Sequence, residues 1–354
     1  MSTKKLLNLK TPEYRKAYSD RTAWLMACIS ELVYIRYEPL IREGMDENRI
    51  IKRLSIMLDN PKTDKMLKLL KLVSYDHVEN LKGLISELTS LQFEIKSTFN
   101  EDGTQAILVS NGSMLVLAFR GTEPDRVKDI KADLNAFQED CTTTGRVHKG
   151  FSDAYNVVIE KVLDELSKPE YSKQALYITG HSLGGAIATV ATKRLNHPGG
   201  HAATYTFGSP RVGNEEWVAG IKTPVYRIVN SADIVPMLPP GALTTDLLGG
   251  VTKLIPAYGQ DINKWLKDNF SGYMHGGNMR FLSNCKKGSY SDVKLLYSVH
   301  LWRRIRGIVH RLSPWSKLAS DHSMSVYRKK MYEVAMGRNN VRLKNKEITK
   351  PVNK

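Results

Sequence analysis

A short apolar run, Ala175 to Thr179, leads directly into Gly180-His181-Ser182-Leu183-Gly184-Gly185-Ala186, and helical periodicity begins at once at Leu183. A G-x-S-x-G run between a strand and a helix demands a tight, strained turn, with the central serine projecting above the sheet and no bulky β-carbon beside it. Gly180 and Gly184 give that clearance, and Gly185 and Ala186 let the following helix pack close. The start of that helix, with the backbone N–H of Leu183, favours negative charge developing on an attacked carbonyl oxygen. At ordinary glycine and serine usage a bare match arises by chance in roughly one chain in eight of this length. The strand before it and the helix after it therefore carry the weight.

The rest of the chain supplies the sheet such a turn needs. Phe93, Ile95 and Phe99 alternate with polar residues, Asn100 to Gly103 is turn-rich, Ala106 to Val109 follows, and Asn111-Gly112 signals a hairpin before Met114 to Phe119. Beyond Phe119 the pattern mixes helical stretches (Asp125 to Phe137, Ser152 to Ser167, Leu183 to Leu195) with short apolar strands (Ala175 to Thr179, Ala202 to Phe207, Val225 to Val229). Short buried strands separated by helices predict an α/β fold with a mostly parallel central sheet. The first 90 residues read as largely helical, with apolar spacing from Thr11 to Arg36 and again over Ile50 to Leu58, Lys65 to Val73 and His77 to Leu88. The chain thus divides into an N-terminal helical region over 1–90 that packs on the core, an α/β domain over 91–336 with a basic amphipathic insertion at about 290–318, and a basic flexible tail over 337–354. With 42% apolar and 25% charged residues, a sizeable core is expected.

A serine hydroxyl needs a base to become a nucleophile and a carboxylate to orient that base. Asp233 lies just past the strand Val225 to Val229, where a strand's C-terminal end places it beside the serine; by itself it reads equally well as a turn former. Of the histidines that follow it, His300 and His310 sit in an arginine-rich stretch suited to the surface. Spacing leaves His275 and His322 both open as the base. No cofactor is needed for such chemistry, and three scattered cysteines, Cys28, Cys141 and Cys285, suggest neither a disulfide framework nor a zinc site, so no metal is expected.

The residues Leu117 to Thr122, Val147 to Phe151, Gly180 to Gly185, Thr206 to Asn214, Asn230 to Pro236, Tyr273 to Gly277 and Asp321-His322 together resemble the class 3 lipase family, fungal lipase-like α/β-hydrolases, over about residues 90 to 335. The resemblance implies an α/β-hydrolase fold, Ser182 as nucleophile, Asp233 as orienting acid and His322 as base, the His275 segment resembling a structural stretch before it. It also implies an oxyanion hole from Thr122 and the N–H of Leu183, followed by a helical lid. Here Glu123 to Ile130 is mostly charged, a departure that speaks against a fat-digesting enzyme activated at oil interfaces.

The formal charge is +16, and residues 290–354 carry 15 Lys/Arg against 4 Asp/Glu, so +11 of it is local. Leu301, Ile305, Ile308 and Leu312 share one helical face ringed by Arg303, Arg304, Arg306 and Arg311, with Trp302 and Trp315 as amphipathic anchors. That is the pattern of a helix lying on an anionic membrane, although a helix packed on the core shares it. A serine lipid acyl-ester hydrolase of phospholipase A type acting on membrane phospholipid is the reading preferred from sequence. A soluble carboxylesterase or glyceride lipase is the alternative, and a catalytically silent membrane-binding scaffold is the alternative of another class. Nucleic acid is not expected as a partner, since no binding motif accompanies the charge. Met1 to Tyr18 lacks the apolar stretch of a secretory signal, which places the chain in the cytoplasm of its producer with peripheral membrane association, or exported without a signal peptide. The resemblance also allows a bacterial lipase effector held by an inhibitor or immunity protein.

Overall fold

The computed structural model describes residues 3–7, 13–35, 77–121, 138–239, 272–285, 289–297, 299–300 and 321–348. Two compact units divide the chain: Met1–Tyr34 with Phe93–Lys354, and Ile35–Gln92. The described elements, in order, are α1 (Thr3–Leu7), α2 (Asp20–Leu32), α3 (His77–Ser90, in the smaller unit), β1 (Glu94–Glu101), β2 (Thr104–Ser110), β3 (Met114–Phe119), β4 (Gln138–Asp140), β5 (Arg146–His148), α4 (Lys149–Leu166), β6 (Ala175–His181), α5 (Leu183–Arg194), β7 (His201–Phe207), α6 (Glu215–Ala219), β8 (Val225–Asn230), β9 (Asn278–Leu282), β10 (Leu295–Leu296) and α7 (Met324–Ile348).

An eight-stranded sheet runs in the order β1-β2-β3-β6-β7-β8-β9-β10. The first three strands form an antiparallel meander, the pairs from β3 through β9 are parallel, and β10 closes the edge antiparallel to β9. The β1–β2 hairpin turns at Asp102 and Gly103, both with positive φ, the two-residue turn that matches strand twist. β6 is buried along its whole length, as a parallel strand covered on both faces must be. Its side chains alternate accordingly. Leu176 and Ile178 enter the core cluster with Val158 and Val162 of α4 and Ile187 and Val190 of α5. On the other face, the Tyr177 hydroxyl accepts from the Arg15 backbone N–H and Thr179 Oγ1 lies 2.8 Å from Ser30 Oγ of α2.

Residues 1–34 therefore group with the sheet, while the boundary drawn at residue 90 falls close to the end of the smaller unit. The helix from Thr11 to Arg36 expected from apolar spacing is shorter, starting at Asp20, with Ser19 Oγ capping the Thr22 N–H at 3.3 Å. Trp24, Met26, Ala27 and Ile29 are buried around most of its circumference, so α2 needs neighbours on more than one side. It packs on α7 and on β6. Helix α7 runs through Ile348, into the stretch expected to be a flexible tail; that stretch has no proline before Pro351 to stop a helix. The helical patterns over 50–58, 65–73 and 125–137 lie outside the described residues.

Trp24, 2% exposed, anchors α2 to the larger unit. Trp24→Ala is expected to cost about 3–5 kcal/mol, read as a lowered urea midpoint with an unchanged slope.

Candidate active site

Three parallel strands deliver the site at their C-terminal ends, where open α/β sheets place their ligands. β6 ends in His181 and hands the chain to Ser182 at φ 56°, ψ −127°. A non-glycine residue held there stores of order 1–3 kcal/mol, which its surroundings must over-determine. They do so: the Ser182 N–H donates to Phe207 O at 2.9 Å, and Ser182 O accepts from the Gly185 N–H at 3.0 Å. A Cβ at Gly184 would overlap the carbonyl of Phe119 on β3, so the turn is pressed against the neighbouring strand. Leu183 opens α5, and its N–H is among the first four of the helix, which have no acceptor within it.

β8 ends at Asn230 and places Asp233 one turn later, its side chain 0% exposed. Its carboxylate is met by three donors. The Val235 N–H reaches Oδ1 at 2.9 Å, and Oδ2 accepts from His322 Nδ1–H at 2.8 Å and from the Tyr327 hydroxyl at 2.6 Å. Burial, and after it the charge of Asp233, push the Tyr327 phenol well above its ordinary value, so it stays a donor. His322 Nε2 then accepts from Ser182 Oγ at 2.8 Å. Serine, histidine and aspartate form one continuous hydrogen-bonded line.

β7 contributes the floor. Gly208 has φ +57°, and a Cβ on it would stand 2.7 Å from Asp233 Oδ2 and 3.0 Å from His322 Cε1, so a side chain here would occupy the space of the Asp–His contact. Behind it, Asn230 Nδ2 donates to Asp321 O at 2.9 Å, fastening the strand that leads to Asp233 to the loop that carries His322. Asn230 Oδ1 accepts from Lys330 Nζ at 2.5 Å, and this buried lysine also donates to Ser283 O at 3.0 Å.

The structure thus brings Ser182, Asp233 and His322 together. His275 stands apart from this line and donates from Nε2 to Pro236 O at 2.6 Å, a strut under the segment after Asp233. Thr122, the charged segment Glu123 to Ile130, and Trp302, Arg303, Arg304, Arg306 and Trp315 lie outside the described residues. Sequence reasoning missed Tyr34, Tyr327 and Lys330. Tyr327 sits five residues after His322 and Lys330 eight, so both are reachable once α7 is known to start between them and the base. His181 is buried, its Nε2 is 2.7 Å from His322 O and its Nδ1 is 2.8 Å from the Tyr34 hydroxyl.

The described geometry can be set beside known proteins. The family model described as Lipase (class 3) matches residues 116–242. Over that segment the chain is similar to the class 3 lipase family. A secreted mono- and diacylglycerol lipase of Fusarium solani is 35% identical over 133 residues, covering 36% of this chain and 39% of that protein. A lipase of Rhizomucor miehei is 38% identical over 109 residues, covering 27% of this chain and 30% of that one. The chain thus spans well under half the length of these curated relatives. Among solved structures, the mono- and diacylglycerol lipase from Aspergillus oryzae superposes with a TM-score of 0.54 at 19% identity, over 86% of this chain and 96% of that one, which supports the α/β-hydrolase fold. The cytoplasmic, membrane-peripheral placement expected from the N-terminal sequence is corrected by these comparisons: the Fusarium solani relative and one from Malassezia restricta, 27% identical over 184 residues, are both named as secreted lipases, which points outside the cell. Among the described residues no helix is long and apolar enough to cross a membrane.

Two outcomes are expected of this site. Gly208→Ala is expected to reduce ester turnover by about 10²-fold or more, because moving His322 or Asp233 by a fraction of an ångström breaks the line; a p-nitrophenyl ester assay on folded protein checks it. Burial, and after it His322 alongside, hold the His181 imidazole well below its ordinary 6.5. The unfolded chain therefore binds a proton below about pH 6.5 that the folded one refuses, and stability is lost as pH falls through that value. With His322, Tyr34 and Tyr327 as the titratable groups against it, His181→Gln is expected to flatten this acid loss in urea unfolding between about pH 7 and pH 5.

Proposed function

We propose that the chain is a serine hydrolase of carboxylic esters in acyl lipids, with Ser182 as nucleophile, His322 as base and Asp233 as the acid that orients it. The observation carrying this reading is the 2.8 Å and 2.8 Å relay from Ser182 Oγ through His322 to Asp233 at the C-terminal edge of the sheet. In the reaction, Ser182 Oγ attacks the ester carbonyl as His322 Nε2 takes its proton. His322 Nδ1–H stays with the buried carboxylate, which favours the imidazolium. The oxyanion faces the Leu183 N–H, joined in this reading by Thr122. The alcohol leaves with the proton from His322, and water, activated by the same imidazole, releases the fatty acid from Ser182.

The substrate class is an acyl-glycerol lipid met outside the cytoplasm, in keeping with the named activities of the relatives. Within that class two esters compete. The relatives' names favour mono- and diacylglycerols, while the +11 charge over residues 290–354 favours an anionic phospholipid cleaved in the manner of phospholipase A.

Fatty-acid release from a diacylglycerol emulsion and from anionic phospholipid vesicles separates the two esters, the faster naming the preferred one. Ser182→Ala is expected to lower release by at least about 10⁴-fold on both. His322→Ala is expected to do the same while His275→Ala retains turnover. Full release by Ser182→Ala would overturn the hydrolase reading; loss with His275→Ala alone in a folded protein would move the base to His275.

A further inference from the structure

His181 is the covalent neighbour of Ser182, and its side chain grips the residue that Ser182 depends on. Its ring lies against the His322 ring with centroids 4.6 Å apart, and its Nε2 is 2.7 Å from the backbone oxygen of His322. A carbonyl only accepts, so Nε2 carries the hydrogen. In a neutral imidazole Nδ1 is then an acceptor, and the Tyr34 hydroxyl, 2.8 Å away, is its donor. The chain of donation is therefore fixed in one direction, from Tyr34 to His181 to His322 O. Burial keeps His181 neutral, as this chain requires.

We propose that His181 is the positioning residue of the base and that Tyr34, just past the end of α2, is the lock on its tautomer, so that the N-terminal helix takes part in assembling the catalytic line. The inference rests on the reading of Ser182 and His322 as nucleophile and base. Ser182 and His322 are 140 residues apart in the chain and meet directly, and His181, the neighbour of Ser182, ties the main chain of His322 to the same strand end. His181 follows the sheet through its own backbone and holds the base by its carbonyl, leaving the His322 ring free to exchange protons. If Tyr34 does not donate, the other tautomer of His181 points a lone pair at the carbonyl, and the grip becomes a repulsion. The Tyr34 hydroxyl also lies over Gly121, where a Cβ would overlap it, and Gly121 directly precedes Thr122. One hydroxyl thus abuts both the support of the base and the strand end next to the residue assigned to the oxyanion.

The test uses the full-length chain with a soluble p-nitrophenyl butyrate substrate and a p-nitrophenyl phosphonate that reacts covalently with an activated serine. Tyr34→Phe is expected to lower kcat about tenfold at unchanged KM, with the phosphonylation rate falling in parallel. His181→Phe, which keeps the ring and removes both hydrogen bonds, is expected to lower kcat by about 10²-fold. His181→Gln, whose amide N–H can still reach the carbonyl, is expected to recover much of that loss; a residue that merely fills space would be rescued better by Phe than by Gln. Thermal midpoints accompany every variant, and if His181→Phe does not fold, Tyr34→Phe against the native chain decides. Wild-type kcat in folded Tyr34→Phe, or a loss confined to KM, would overturn the inference alone. A native chain that neither turns over the ester nor reacts with the phosphonate would remove the hydrolase reading, and this inference with it.

Discussion

A carboxylate with no exposed surface is costly to hold, and the arrangement around Asp233 follows from meeting that cost. Three donors satisfy it, and they come from different parts of the chain: the backbone of its own turn, the histidine of a loop 89 residues later, and a tyrosine on α7. Folding β8 without α7 and the loop that leads into it would leave Asp233 short of two of them. The C-terminal helix is therefore bound into the sheet through a charge as well as through apolar contact. α2 packs on α7 in turn, so the stability of the acid's surroundings reaches back to the N-terminal helix.

The same need explains the polar residues behind the acid. Asn230 spends its amide on Asp321 O and its carbonyl on Lys330 Nζ and the Ser231 N–H, while Lys330 also ties to Ser283 just past β9. Apart from the local bond to Ser231, each of these bonds joins two chain segments that have to be in register for the line to form. A buried network of this kind is worth having only when its members are satisfied together. It specifies one arrangement of β8, β9 and α7, and an apolar substitute would specify it less sharply.

What the sequence made legible was local. The turn at Ser182 announces itself because only glycines tolerate its close packing, and Asp233 could be placed because it follows an apolar strand of readable length. β1, β2 and β3 were legible from alternation and turn residues, though Asp102-Gly103 is the hairpin turn and the first strand runs to Glu101. β9, five residues from Asn278 to Leu282, was not, since its Met279 and Arg280 are only half-buried and give no apolar run. The choice between His275 and His322 was not legible from spacing either. Both follow Asp233, both sit in polar, turn-forming surroundings, and only tertiary contact separates a ring bonded to Ser182 and Asp233 from one bonded to Pro236. Tyr34 carries no local signal at all, because its partner lies 147 residues away.

His322, the proposed base, is held by its backbone on two sides. Asn230 grips the carbonyl of Asp321 and His181 grips the carbonyl of His322, two successive peptide units fastened from β8 and from β6. The proposed acyl transfer asks the imidazole of His322 to gain a proton and then give it up, with the ring turning slightly between Ser182 and the leaving group. A base held by its ring atoms alone would have to break those bonds to do so. Fixing the main chain instead leaves Nε2 available for chemistry and confines the side-chain constraint to the one contact that should persist throughout, Nδ1–H to Asp233. The division of labour also accounts for a second histidine beside the first. The group that holds His322 has to donate to a carbonyl without carrying charge, since a cation there would oppose the imidazolium that forms in the reaction. A buried neutral imidazole, set in its tautomer by a phenol, meets both conditions, as a lysine or arginine at position 181 would not.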